Sequence, residues 1–461
     1  MNKALLVSAF LLCSASVELC AQNYVYHEFA DQKWTDDTGF ENSPYGVFNK
    51  VSANGKYAVG YDDVVETNVS FLWRSEAPTK IEYVNTTPNR ISLCDVSNDG
   101  VMVGSFENRA ADKMDKKVVA YPGYKTLDGE WKQLPVPDNY SEKMALGQAY
   151  MEEARAITPD GQFVAGNIHL ITGYNEQMGL EKSSLLPCLW KKSADGYELA
   201  AAYENLGDAG KSMIYSDGEL KTVAGEVNIA PFLVWDISND GSIIVGTNTS
   251  GVGGQNPAFI KDGKLIQLFD CGEEDETGED EDVNFNGGTC NSIDSNNNIY
   301  GYFVLADGES TKYFIYTADG KLEYQDRLTM CATKDGTKFP NSYNGLPYLL
   351  DCSEDGSVLV GGGTIDIGFG IANTPAVLIS STLTAIDRVN EIRSNVSIDY
   401  RNSGSLFVNG EYQEATVYNA AGARIAVGKQ GKSFNLSNSP SGTYIVKVTT
   451  ANGVKSFKVA K

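Results

Sequence analysis

The sequence predicts an all-β chain: a β-propeller of six blades, with room for a seventh, followed by a small Ig-like β-sandwich. Three observations lead there. A short turn phrase recurs six times between residues 46 and 380. Glycine is abundant, at 46 of 461 residues, and long amphipathic helical patterns are absent. From Leu406 onward the chain runs as short alternating strands separated by turn residues.

The repeat reads Val51-Ser52-Ala53-Asn54-Gly55, then Val96-Ser97-Asn98-Asp99-Gly100, then Ile157-Thr158-Pro159-Asp160-Gly161. It returns as Ile237-Ser238-Asn239-Asp240-Gly241, in altered form as Ile293-Asp294-Ser295-Asn296-Asn297, and as Cys352-Ser353-Glu354-Asp355-Gly356. A β-branched residue usually ends one strand, and Asp-Gly or a relative makes the turn, because Gly and Asn tolerate positive φ. An apolar strand follows, such as Val101-Met102-Val103 or Val358-Leu359-Val360, and closes on a glycine that permits a bulge or a close backbone approach. Gly55, Gly100, Gly161, Gly241, Asn297 and Gly356 are therefore the expected turn positions. Their spacings of 45, 61, 80, 56 and 59 residues suit blades of four short strands with variable loops. The 80-residue gap leaves room for a further blade around Met213 to Trp235, where Ser216-Asp217-Gly218 offers a hairpin. Second strands such as Phe71-Leu72-Trp73 and Pro187-Cys188-Leu189-Trp190 lead into hairpins at Asp128-Gly129, Asp195-Gly196, Asp262-Gly263 and Asp319-Gly320. Trp73 and Trp190 occupy similar repeat positions, which suits blade-core packing. Tyr24-Val25-Tyr26 could supply the strand that closes the ring and removes an exposed edge. The phrase Ser-x-Asp-Gly, apolar strand, Gly, then Ala/Pro-Phe-Leu-Trp resembles the HAF-type extracellular repeats. That resemblance covers most of residues 46–380, implies a propeller and says nothing of a ligand; the propeller domain is expected over residues 22–380.

Residues 381–393 read as a linker and 394–461 as a separate sandwich of about seven strands. Here Val417-Tyr418-Asn419 precedes Gly422, and Asn435-Leu436-Ser437 precedes Ser441-Gly442-Thr443-Tyr444-Ile445-Val446-Lys447-Val448. The chain ends on the basic strand Lys455 to Lys461. This segment resembles the type A C-terminal sorting domain of proteins exported by the type IX secretion system of Bacteroidetes-type bacteria. Asn435, Leu436, Gly442, Tyr444, Val446, Val448 and Lys461 carry the match. It departs from the family where Ser439-Pro440 replaces the expected Leu-Pro. The resemblance implies the type IX machinery as a partner, and release from a Gram-negative cell or attachment to its surface.

The N-terminus fits the same route. Asn2-Lys3 is a short basic region, Ala4 to Ala15 is an uncharged, mostly apolar run, and residues 1–21 read as a secretory signal cleaved after Ala21. Cys20 raises lipidation, although Leu19 before it is larger than the usual small residue. No other segment approaches ~18 uninterrupted apolar residues, so no transmembrane helix is expected. A net charge of −23 argues against nucleic-acid binding.

Chemistry is sparse in this sequence. His27, near the expected first strand, and His169, expected in a loop, are the two histidines. Nucleophile-elbow, zinc-protease and phosphate-loop motifs are missing. Carboxylates are abundant, but a glycosidase pair assembled from different blades leaves no spacing to read. Glu273, Asp275, Glu279, Asp280 and Asp282 lie in an acidic run that could offer oxygen ligands to calcium, or form a solvated loop. Cleavage leaves Cys94, Cys188, Cys271, Cys290, Cys331 and Cys352, and nearest neighbours suggest Cys271–Cys290 and Cys331–Cys352 disulfides. The reading that results is a non-enzymatic binding module for an extracellular glycan, peptide or protein. A carboxylate-dependent hydrolase and a structural surface component are the alternatives.

Overall fold

The computed structural model describes residues 24–35, 41–61, 69–84, 90–108, 119–137, 153–175, 180–204, 206, 212–216, 218–222, 232–249, 255–268, 285–305, 311–366, 371–380, 396–400, 404–419, 424–431, 433–437, 439–450 and 453–461. Among them no helix is long and apolar enough to cross a membrane. Residues 26–379 form one compact unit; residues 380–461 belong to a second.

The first unit is of β-propeller type. Sheet I is a meander of Val47–Val51, Tyr57–Tyr61, Ser70–Arg74 and Ile81–Val84. Sheet II follows with Arg90–Val96, Met102–Asn108, Val119–Lys125 and Lys132–Gln133; sheet III with Glu153–Ile157, Phe163–Asn175, Leu180–Ser193 and Gly196–Ala202. Sheet IV has Phe232–Ile237, Ile243–Thr249, Gln255–Lys261 and Lys264–Gln267, and sheet V has Phe285–Ile293, Ile299–Leu305, Thr311–Tyr316 and Leu322–Gln325. Sheet VI joins Tyr348–Cys352, Val358–Asp366 and Ile371–Ser380 to the N-terminal strand Tyr24–Glu28, as the sequence suggested.

Two findings correct the sequence reading. The stretch around Met213 makes no sheet of its own. Ser212–Ser216 pairs in parallel with Lys264–Gln267, and Glu219–Thr222 extends sheet IV to six strands. His169 lies within the strand Phe163–Asn175, not in a loop. Between sheets V and VI sits a two-stranded hairpin, Thr329–Ala332 with Lys338–Pro340. Its turn, Ala332-Thr333-Lys334-Asp335-Gly336, is a further copy of the repeat phrase.

One device recurs in all seven copies. The inner strand carries a bulge, with register shifts at Phe48/Lys50, Leu93/Asp95, Ala154/Ala156, Val234/Asp236, Cys290/Ser292, Thr329/Cys331 and Leu349/Asp351. In the six full sheets the closing glycine explains itself here. A Cβ at Gly60, Gly104, Gly166, Gly246, Gly301 or Gly361 would overlap a carbonyl oxygen of the bulged strand. The turns are tied by a hydroxyl. Ser238 Oγ donates to Asp240 Oδ1 at 2.7 Å and accepts from Ile243 N at 2.9 Å, and Ser353 repeats this with Asp355 and Val358. Trp73 and Trp190 are fully buried in separate cores, with indole N–H bonds to Pro78 O (3.0 Å) and Pro135 O (2.7 Å).

In the second unit, residues 396–461 form a three-stranded sheet (Ser397–Tyr400, Ser405–Asn409, Phe434–Asn435) and a four-stranded one (Arg424–Lys429, Glu414–Asn419, Thr443–Thr450, Gly453–Ala460). Leu406, Phe434, Val417, Val446 and Val448 share one core between them.

Candidate functional site

In six of the seven copies the residue after the bulge faces a common centre. Lys50, Asp95, Asp236, Ser292, Cys331 and Asp351 line a cavity of about 100 Å³. Ala156 holds the corresponding position in sheet III, after the same register shift. Lys50 Nζ reaches Asp236 Oδ2 at 3.0 Å, both largely buried. Burial alone would lower the Lys50 pKa, but Asp236, Asp351 and Asp95 outweigh it and hold the ammonium above the ordinary lysine range. Burial pushes Asp95 up to about 7 and Asp351 up to about 6, against the opposing charge of Lys50.

The three aspartates also tie sheet to sheet. Asp95 Oδ2 accepts from Ile157 N of sheet III at 2.8 Å, and Asp351 Oδ2 from Val51 N of sheet I at 2.9 Å. Asp236 Oδ2 accepts from Ile293 N of sheet V at 3.3 Å. The other oxygens of Asp95 and Asp236 take the next N–H of their own strand, Val96 N at 2.7 Å and Ile237 N at 2.9 Å. The neighbouring turns are linked as well. Asn98 N donates to Pro159 O (2.9 Å), Lys334 N to Glu354 O (2.8 Å) and Glu354 N to Ala53 O (2.9 Å). The 329–340 hairpin thus occupies its own place between sheets V and VI.

A second polar cluster lies at the bulge residues themselves. Arg155 Nε meets the buried Glu153 Oε2 at 2.9 Å, and its guanidinium lies 4.8 Å from the Trp235 ring. Cys94 Sγ is 3.6 Å from the same Glu153 oxygen.

A larger recess, of about 590 Å³, opens on sheet VI and the adjoining loop. Tyr26, Glu28, Ser342, Tyr343, Asn344, Pro347 and Thr364 are among its lining residues.

The expected turn residues all take positive φ: Gly55 69°, Gly100 76°, Gly161 66°, Gly241 74°, Asn297 63° and Gly356 68°. In the altered copy Asp294 replaces the serine, and its Oδ1 accepts from Asn296 N (2.9 Å) and Asn298 N (2.8 Å). Glu273, Asp275, Glu279, Asp280 and Asp282 lie outside the described residues, as do Cys271, the 1–21 segment and the 381–393 segment. Among the described residues no group of three or more His, Cys, Asp and Glu is disposed to hold a metal ion. Cys331 and Cys352 are brought within side-chain hydrogen-bonding contact as thiols; Cys94, Cys188 and Cys290 are buried free thiols. In the second unit, Leu436, Tyr444, Val446 and Val448 are core residues. Asn435 Oδ1 accepts from Ser437 N at 2.9 Å. Lys461 folds back onto this segment: Nζ donates to Leu436 O (2.6 Å), Ser437 O (2.9 Å) and Ser439 O, and its backbone pairs with Gly442.

Sequence reasoning missed Asp95, Asp236 and Asp351, although each stands directly before its repeat phrase. The readable signal was Asp-x-Ser-x-Asp-Gly, present in the copies of sheets II, IV and VI.

No protein-family model and no curated protein matches the chain. Among solved structures it is similar to TolB from Acinetobacter baumannii (10% identity, 71% of this chain, TM-score 0.37), of whose length it spans 65%. It is also similar to a glycosyl hydrolase from Bacteroides ovatus (12% identity, 64% of this chain, 92% of that one, TM-score 0.27). An ancestral GH74 enzyme gives 8% identity over 91% of this chain and 52% of that one, with a TM-score of 0.32. These likenesses assign no function, and the propeller-type fold rests on the strand order itself.

Proposed function

We propose that the chain is a secreted or surface-attached binding protein with seven positions around a propeller ring, one of them the short 329–340 hairpin. It leaves a Gram-negative cell through Sec and then type IX export, with residues 394–461 as the sorting domain. The observation that carries binding over turnover is the commitment of the central carboxylates. Both oxygens of Asp95 and of Asp236 accept backbone N–H groups, and Lys50 holds Asp236 as well. A carboxylate fixed in this way clamps neighbouring sheets and is poorly placed to attack or protonate a substrate. The cavity of about 100 Å³ admits a handful of waters, not a sugar ring. The back-folded Lys461 and the buried Leu436 support the sorting reading by joining the signature residues into one folded element.

A carboxylate-dependent hydrolase is the second reading. It draws on the raised pKa values of Asp95 and Asp351 at one cavity. A screen of glycosidase and peptidase substrates, beside a glycan-and-peptide binding array in calcium and in EDTA, separates the two. Saturable binding without turnover is expected of the mature chain. Turnover abolished by one Asp95, Asp236 or Asp351 substitution would contradict it.

A further inference from the structure

We infer that the recess on sheet VI is a saccharide site that takes neutral glycans; this deepens the binding-protein reading and rests on it. Tyr26 and Glu28 stand two apart on the outer strand, so both side chains share one face. Tyr26 OH donates to Glu28 Oε2 at 2.9 Å, which fixes the ring and the carboxylate as a pair. The floor beneath them is glycine: a Cβ at Gly363 would strike the Tyr26 hydroxyl and lie 3.0 Å from Glu28 Oε2. The opposite wall is a loop whose Tyr343 N and Leu346 O bond at 3.0 Å, with Leu346 N returning to Tyr343 O at 2.9 Å. Asn344 (φ 47°) and Gly345 (φ 87°) make that connection a tight turn of the two-residue, positive-φ kind, which holds the loop in place before any ligand arrives. Tyr343 is further braced by Phe339, edge to face at 5.2 Å.

The groups so placed match a sugar. An exposed aromatic face accepts the C–H side of a pyranose ring, and a carboxylate, an amide and two hydroxyls (Glu28, Asn344, Ser342, Thr364) offer partners to its hydroxyl rim. The volume of about 590 Å³ falls within the roughly 300–1,000 Å³ of small-molecule sites. Charge decides which sugars enter. Among the described residues the recess contributes a carboxylate and no cationic side chain, on a chain of net charge −23, so sialylated and uronic glycans are disfavoured relative to neutral ones.

The test uses the mature full-length chain on an array of neutral oligosaccharides and their sialylated or uronic counterparts. Affinities for the best neutral glycan are then measured for the parent, Tyr26→Ala, Glu28→Gln and Tyr324→Ala. Tyr324 is an exposed tyrosine of sheet V, away from the recess lining. The inference expects saturable neutral-glycan binding, weakened roughly tenfold or more by Tyr26→Ala and by Glu28→Gln and unchanged by Tyr324→Ala. All three positions are exposed, so unfolding midpoints should match the parent. Neutral glycans bound equally by the two recess variants would overturn the site. Binding confined to peptides would overturn the saccharide class while leaving a binding protein, and turnover on the array would overturn the binding reading itself.

Discussion

Among the described residues Lys50 is the one cationic side chain lining the central cavity, and Asp95, Asp236 and Asp351 face it. Lys50→Met leaves buried carboxylates without their counter-charge and should cost about 3–5 kcal/mol, measurable by chemical unfolding. A pH dependence follows from Asp95 and Asp351, held at about 7 and about 6 in the fold against roughly 3.9 in an unfolded chain. Between those values the folded state keeps protons that the unfolded state has released. Their stabilisation is therefore complete below about pH 4 and is lost as pH rises through 6 to 7. Unfolding curves from pH 5 to 7.5 should show a steeper decline for the parent than for Asp95→Asn; identical slopes would contradict the assignment. At this scale the turn residues were readable, because positive φ selects Gly and Asn locally. The three aspartates were not, since an Asp late in a strand takes its meaning from a bulge that turns it inward, and side-chain periodicity does not reveal a bulge.

Each full sheet depends on a glycine facing its bulge. Gly246→Ala would drive a methyl into Leu233 O and should cost about 3 kcal/mol or more. Gly263→Ala is the control: its φ is 70° but no atom lies near the added Cβ, so about 1–2 kcal/mol of backbone strain is expected. Equal costs would show that close approach is not what the glycine serves. The 329–340 hairpin escaped sequence reading for a related reason. Its strands span Thr329–Ala332 and Lys338–Pro340, and it lacks the apolar strand and closing glycine that marked the other copies. The gap around Met213 misled in the opposite sense, because length there added strands to sheet IV. The hairpin meets sheet VI through Cys331 and Cys352. In protein recovered after passage through an oxidising periplasm, a thiol–disulfide oxidant should have taken two hydrogens from this pair. Intact mass before and after reduction reads that directly. Cys94, Cys188 and Cys290 should stay unreactive to alkylation until unfolding, because burial raises each thiol's pKa.

Across the whole molecule, the recess on sheet VI joins a strand at residues 24–28 to a loop at 342–347, so no local motif could announce it. What the sequence did carry was the repeat that builds the sheets, because each copy holds its own turn chemistry. The proposed sorting signature is a string in the sequence, while the contact of Lys461 with Leu436 and Ser437 required the fold. The proposed binding role requires that the protein work outside the cell, and export is the most direct check on it. The full chain and a variant lacking Leu436–Lys461 should be expressed in a type IX-competent host and traced by fractionation. The account predicts the full chain in the medium or on the surface, with the truncated chain held in the periplasm. Normal secretion of the truncated chain would contradict it.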